Sequence, residues 1–536
     1  SKAHRIRLYE HLRKYKKIIR NLYFVSMKNY GKVYFHGLCI HFPGNIFLYN
    51  PVCPSFEHPI LFIFLTFTSE PNRRIIRYKY QRGSRMNKEK SKNRGLMTEG
   101  VIWKEILLFS IPLLLGNLFQ QLYNAVDSVV VGNYIGAQAL AAVGSSAPVI
   151  NLLVSFFMGL AVGAGVIISR YFGARKKEEL HIAVHTSLAL TFAAGLVMTL
   201  IGVLISPYVL QWVGTPSDVM ESSVLYLRIY FLGILSVMVY NMGSGILRAV
   251  GDSRNPLYFL IVSSVTNIIL DMLFVIVFHM GIAGVGWATL IAQTISAVLT
   301  MLLLMRTKEE YQVKLKHIRF HKHMLYEIVR LGLPSGLQNA IVSFSNVIVQ
   351  SNINAFGSLA MAGCGSYTKI DGFAILPVMS YSMALTTFTG QNMGAKKYDR
   401  VKQGAKTGIL MSVITIVCIS ALLLMLGPNV LAIFSSDPTV INYGLYMMHV
   451  LAPGYIFLAI SHAFNGIIRG AGITTVPMIV MVTCWCGLRM AWILTSVPLF
   501  HDIGVVFMGW PLTWIASALW LFLYYRKGKW MTRYDS

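Results

Sequence analysis

Asn267 and Asp271 stand one helical turn apart in the stretch TNIILDMLFVIV, and Asp127 lies beside Ser128 in LYNAVDSVVV. All three sit inside long apolar runs. A carboxylate at the centre of a membrane helix costs roughly 2.5–3.5 kcal/mol on insertion scales, and intramembrane acids default to function. Two carboxylates with an amide and hydroxyls nearby suit two tasks. A hard cation such as Na+ takes several oxygen ligands. A proton carrier needs a carboxylate whose ionisation is opposed by burial and by a like charge, and two carboxylates sharing a site titrate as a pair. Either site loads on one side of a membrane and empties on the other. The structural alternative is that each aspartate bonds a neighbouring helix and nothing more.

Two further sets of polar residues accompany the acids. Asn117, Gln121, Asn124 and Ser128 form one stripe; Asn339, Ser343, Asn346 and Gln350, with Asn354 beyond, form another. Steps of three and four keep each stripe on one helix face. Lipid penalises such a face, so it should line water, substrate or another helix. Two matching stripes favour a shared cavity over isolated interhelical hydrogen bonds. Lys369 and Asp371 differ by two positions, so they point to different sides of their helix and need not pair.

The elements that carry these residues are membrane helices. The chain has 536 residues, 55% hydrophobic and 13% charged, with mean hydropathy +0.58. That excludes an ordinary soluble protein. Twelve continuous apolar runs follow Ile102, and continuity rather than alternation excludes a β-barrel. The expected fold is an all-α polytopic membrane protein. Connections with Arg175, Lys176 and Lys177, Arg248 and Arg254, residues 306–322, Lys396, Lys397 and Arg400, Arg469, and Arg526 alternate with connections that hold no Lys or Arg. This pattern puts both termini in the cytoplasm.

The chain also repeats. GARKKEE (173–179) returns as GAKKYDR (394–400), GILRAVGDSRNP (245–256) as GIIRGAGITTVP (466–477), and GAQALAAVG (136–144) as GSLAMAGCG (357–365), all offset by 221 residues. Six spans per half is an even number, so both halves insert the same way: parallel six-helix lobes around a central cavity, as in secondary transporters. The stripes match at an offset of 222, but the acids do not repeat. Asp127 meets Ile348 or Val349, Asn267 meets Leu488, and Asp271 meets Trp492. The expected organisation is an N-lobe at 86–305, a cytoplasmic linker at 306–325, a C-lobe at 326–525 and a cytoplasmic tail at 526–536.

Residues 1–85 carry 16 Lys and Arg against three acids, half of a formal net charge of +26. They lack steady periodicity, and Met86 precedes a short basic lead into an amphipathic helix. Residues 1–85 are therefore read as upstream translation, the alternative being a basic extension that binds anionic lipid. Nucleic-acid binding is discounted.

IPLLLGNLFQQLYNAVDSVVVG, SRYFGARK, TGQNMGAKK and LRAVGDSRNP resemble the corresponding segments of the multidrug and toxic compound extrusion (MATE) family, over about residues 100–526. The resemblance implies a cation-coupling site at Asp127, Tyr226, Asn267, Asp271 and Thr289, taking Na+ or H+, with Asp127, Asn267, Asp271 and Thr289 as Na+ ligands. It implies export of drug-like, often cationic or amphipathic compounds, and a helix bend at Pro112. One departure is clear: some branches place an acid in span 7, and residues 335–356 hold none. Asp371 is the C-lobe acid that could contribute to the cavity.

The wider superfamily includes flippases for lipid-linked oligosaccharides, whose cavities are cationic; Arg228, Lys369 and Arg489 keep that alternative open. A receptor or scaffold is disfavoured by the paired stripes. No G-x-x-x-x-G-K loop is present, so an ATP-driven or enzymatic reading is weak. His181 and His185 lack an H-E-x-x-H pattern and read as an interfacial face, and Cys484-x-Cys486 as inert buried thiols. The chain is expected to act as a monomer in the cytoplasmic membrane, among lipid, with no cofactor beyond the coupling ion.

Overall fold

The computed structural model describes residues 96–532. The reading of residues 1–85 lies outside them, as do the last four residues of the tail. Among the described residues the secondary structure is helical throughout. The first six spans are Ile102–Ile135, Gln138–Gly173, Lys177–Trp212, Met220–Ala249, Arg254–Val277 and Gly281–Arg306. After the linker, span 7 is Lys322–Asn354. Spans 8 to 12 are Ser358–Gly394, Tyr398–Ala432, Pro438–Gly470, Thr475–Phe500 and Ile503–Arg526. Eleven are long and apolar enough to cross a membrane. Span 7 is long enough at 33 residues but is the most polar, because it carries the second stripe.

Span 8, one of the twelve continuous apolar runs, is two helices. Ser358–Ala374 ends and Leu376–Gly394 begins around Ile375, with Pro377 in the first turn of the second piece. Proline lacks the N–H that would continue the first helix, and its fixed φ suits the start of a new one. Three other spans contain π-helical turns: Val131–Ile135, Leu273–Val277 and Val482–Leu488. The first two follow Asp127 and Asp271 within a turn, and the third runs directly into Arg489. Such turns insert a residue into the helix and re-aim the side chains beside them.

The repeat is visible in the backbone. Gly136 and Gly357 cap the helices after spans 1 and 7 at φ +112° and +100°. Arg175 and Lys396 share the left-handed conformation at 55° and 56°, and His279 and His501 at 52° and 51°. Non-glycine residues seldom adopt it, so two such pairs at equivalent places mark two copies of one architecture.

Each half has its own core, but spans 1 and 7 cross over. Ile106, Phe109 and Leu113 of span 1 pack with Leu385, Phe388 and Ile467 of the second half. Met324 and Ile328 of span 7 pack with Leu180, Val184 and Ile246 of the first. Spans 2 and 7 touch through small residues. A Cβ on Gly159 would lie 2.2 Å from the backbone N of Gly336, and one on Gly163 2.3 Å from that of Gly332. Both pairs have the G-x-x-x-G spacing that lets membrane helices approach at backbone distance.

Candidate functional site

The first-half site is built from four helices. Span 1 supplies Asp127, span 4 Tyr226, span 5 Asn267 and Asp271, and span 6 Thr289. Asn267 and Asp271 are each 1% exposed, Tyr226 5% and Thr289 7%. The carboxyl groups of Asp127 and Asp271 are near neighbours, with the rings of Tyr123, Tyr226 and Tyr230 beside them. Asp127, Tyr226 and Asp271 are brought together, with Asn267 one turn before Asp271 and Thr289 beside Asn267 around one small cavity.

Their hydrogen bonding is unusual. Asp127 Oδ1, Asp271 Oδ1, Thr289 Oγ1 and both amide atoms of Asn267 are buried without a hydrogen-bond partner. Native proteins leave few such atoms, and each calls for a reason such as a bound ion or water. Burying two adjacent carboxylates costs several kcal/mol per ion, a cost that a cation or a proton between them would offset. The donor set is all oxygen plus one amide, which fits Na+ or a proton and not a soft metal. A small cavity lined by Tyr123, Ser263, Ser264, Asn267, Thr289 and Gln293 adjoins it.

Tyr123, Ser264 and Gln293 were missed in the sequence, although helical spacing marks them. Tyr123 lies four before Asp127, Ser264 three before Asn267, and Gln293 four after Thr289. Ser263 is structural: its hydroxyl donates to the carbonyl of Ala292 at 2.8 Å and ties span 5 to span 6.

The second-half acid is held differently. Tyr455 donates its hydroxyl to Asp371 Oδ1, and the Tyr367 and Tyr455 hydroxyls are 2.7 Å apart. Lys369 does not pair with Asp371; its Nζ lies 5.7 Å from the ring centre of Phe434. Arg489 is 1% exposed and lies between Trp485 and Trp510, at 5.7 and 5.5 Å from their ring centres. It donates to Asn346 Oδ1 at 3.1 Å and Thr513 Oγ1 at 3.2 Å. Arg228 is exposed, and its Nε donates to the carbonyl of Val203.

The stripes divide between roles. Gln121, Asn124 and Ser128 are exposed and Asn117 half-buried; Asn346 and Gln350 are exposed and Ser343 half-buried. The Gln121 amide reaches towards Gly372 of span 8, next to Asp371, so the stripe of span 1 faces the other half. Asn339 instead donates to the carbonyl of Ser155 in span 2 at 3.2 Å, an interhelical bond. Gln350 donates to Asn354, and the Ser128 and Ser343 hydroxyls bond carbonyls of their own helices. Pro112 is buried within a helix that continues through it from Ile102 to Val130.

On the basic side the halves are latched, by residues whose role the sequence did not disclose. Gln391 Oε1 accepts from the Met97 N–H at 2.7 Å, and Gln391 Nε2 donates to Ala249 O at 2.9 Å. The Arg400 guanidinium donates to the carbonyls of Met97, Glu99 and Gly100, and Lys397 to that of Thr98. The segment leading into span 1 is thereby strapped to the start of span 9.

Comparison with known proteins agrees with this architecture. The chain is 29% identical over 444 residues to the "Probable multidrug resistance protein YoeA" of Bacillus subtilis, covering 81% of this chain and 96% of that one. It is 23% identical over 372 residues to the "Multidrug export protein MepA" of Staphylococcus aureus, covering 69% and 82%. The fold matches that of a multidrug resistance MATE family transporter solved in an outward-facing conformation, with TM-score 0.77 and 23% identity over 81% of this chain and 98% of that one. A transporter of the MOP superfamily from Pyrococcus furiosus, described as having a binding pocket of reverse polarity, matches with TM-score 0.76 and 22% identity over 82% and 98%. Residues 112–273 and 334–493 each match the MatE family model, one match per half. The chain belongs to the MatE family.

Proposed function

We propose that this protein is a cation-coupled antiporter that exports drug-like, often cationic or amphipathic compounds by alternating access of its two lobes. The observation that supports the coupling site is the set of unpartnered buried oxygens of Asp127, Asp271, Asn267 and Thr289 in the first lobe, with the two carboxyl groups adjacent and Asn267 and Thr289 lining one small cavity. A cation or a proton there removes the penalty of two facing buried carboxylates, so occupancy and conformation are linked. The stripes of spans 1 and 7 line the route of the cargo. The Bacillus subtilis and Staphylococcus aureus relatives are described as multidrug proteins, which supports a drug-like cargo and disfavours the lipid-linked oligosaccharide flippase. The protein acts as a monomer in the cytoplasmic membrane with both termini inside. In that orientation the latched basic side faces the cytoplasm, and the exposed stripes open outwards.

The test is efflux of a cationic dye from proteoliposomes under an imposed Na+ gradient and, separately, an imposed pH gradient. Transport under at least one gradient supports the proposal and names the ion. Dye movement that neither gradient changes contradicts it.

A further inference from the structure

Away from the coupling site, the structure gathers three histidines that the sequence scatters. His181 and His185 occupy successive turns at the start of span 3, and His317 comes from the short 3-10 turn Leu315–His317 in the linker. One ring nitrogen from each lies within 4.8 Å of the others. His181 Nε2 and His317 Nδ1 are 2.9 Å apart. Four imidazole or similar ligands around Zn2+ at about 2.0–2.1 Å stand roughly 3.3 Å from one another, so a shift of a few tenths of an ångström admits the ion between these two rings.

His185 is prepared as the third ligand. Its Nδ1 lies 2.7 Å from the carbonyl of His181, which can only accept, so Nδ1 carries the proton. The lone pair is then on Nε2, where it accepts from the Lys314 N–H at 3.0 Å. A ring nitrogen tied to a carbonyl, with the lone pair on the other, is the arrangement that orients metal-binding histidines; in His185 that lone pair is held by the Lys314 N–H. Coordination at Nε2 exchanges one linker hydrogen bond for a metal bond. His185 is buried, His181 half-buried and His317 exposed, so the ion enters from water.

We infer that His181, His185 and His317 form a binding site for a borderline divalent transition-metal ion such as Zn2+, which clamps the linker between the lobes onto span 3. Three imidazoles with water in the fourth position suit Zn2+ and its neighbours over Mg2+ or Ca2+. The linker's other ties here include the exposed Lys177–Glu310 ion pair at 2.9 Å, the hydrogen bond from the Val313 N–H to Leu304 O at 2.8 Å and the burial of Val313 in the first-half core. An exposed pair holds weakly. A metal there adds a restraint on the segment that joins the two halves, which on the proposed function move against each other.

The experiment uses full-length protein in detergent, titrated with Co2+ alone as the spectroscopic probe and then with Zn2+ as competitor. The expected result is one equivalent giving the intense visible absorption of low-symmetry Co2+, displaced by Zn2+. In His317→Ala the dissociation constant should rise by more than about tenfold, and His317→Cys should restore binding. Zn2+ should also slow proteolysis of the linker in the wild type and not in His317→Ala. His317 is exposed, so its replacement leaves the fold intact; His181→Gln is the second variant. A wild type that yields no such absorption, or variants that bind Co2+ as the wild type does, would overturn the site.

Discussion

The two lobes share a backbone and differ in what they do with a buried acid. In the first, Asp127 and Asp271 face each other, and the oxygens around them are unpartnered. In the second, Asp371 accepts from Tyr455, which is itself bonded to Tyr367. The position equivalent to Asp271 is Trp492, whose indole N–H donates to the carbonyl of Val505 at 2.8 Å. One lobe keeps two adjacent carboxyl groups among unpartnered oxygens; the other has tryptophans, Trp492 and Trp510, at the positions of Asp271 and Thr289, and holds its own acid on a tyrosine in span 10. The contacts between lobes differ as well. Span 7 meets span 2 through four glycines, whereas the equivalents of Gly159 and Gly163 in span 8, which meets span 1, are Ser380 and Ala384. Span 1, with Pro112, is the less tightly held of the two crossing helices.

The sharpest way to break this contrast is at the acids. Asp127→Asn should reduce ion-driven efflux to the level of protein-free vesicles while insertion and folding, read by size-exclusion profile, stay normal. Next in size is the glycine contact. Gly336→Leu forces a side chain against the backbone of span 2 and should cost about 1–3 kcal/mol or more, measured as a lowered Tm in detergent. Tyr455→Phe leaves Asp371 without its donor and should cost roughly 1–3 kcal/mol of stability. It should nonetheless leave the response of efflux to the gradient intact; loss of coupling there would make the second lobe a partner in the chemistry. Smallest is Thr289→Ala, which removes one neutral oxygen. It should raise the ion concentration for half-maximal efflux by about tenfold or less, since a hydrogen bond or ligand of this kind is worth about 1 kcal/mol.

Much of this was legible in the sequence, for reasons that can be named. Apolar runs set the twelve spans because each must cross one bilayer thickness, and the 221-residue offset carries the duplication in the sequence itself. Asp127 and Asp271 stood out because charge inside a membrane is rare, and Asn267 because it lies one turn before Asp271 on the same face. The break in span 8 was missed, although Pro377 marks it, because an unbroken apolar run outweighed one helix-breaking residue. Asn339 was placed with the cavity residues, yet it bonds the backbone of span 2; periodicity assigns a face, not what that face meets. The latch of Gln391, Lys397 and Arg400 and the third histidine were invisible for a different reason. Their partners lie far away in the chain: Gln391 holds Met97, and His317 meets His181, 294 and 136 residues apart. Only the packed fold brings them within reach.

The central claim is that coupling resides in the first lobe alone. The direct measurement places Asp271→Asn and Asp371→Asn side by side in the same proteoliposomes, under whichever gradient drives the wild type. Asp271→Asn should fall to the rate of vesicles without protein, and Asp371→Asn should keep most of the wild-type response. Full gradient-driven efflux by Asp271→Asn, or complete loss in Asp371→Asn, would contradict the account.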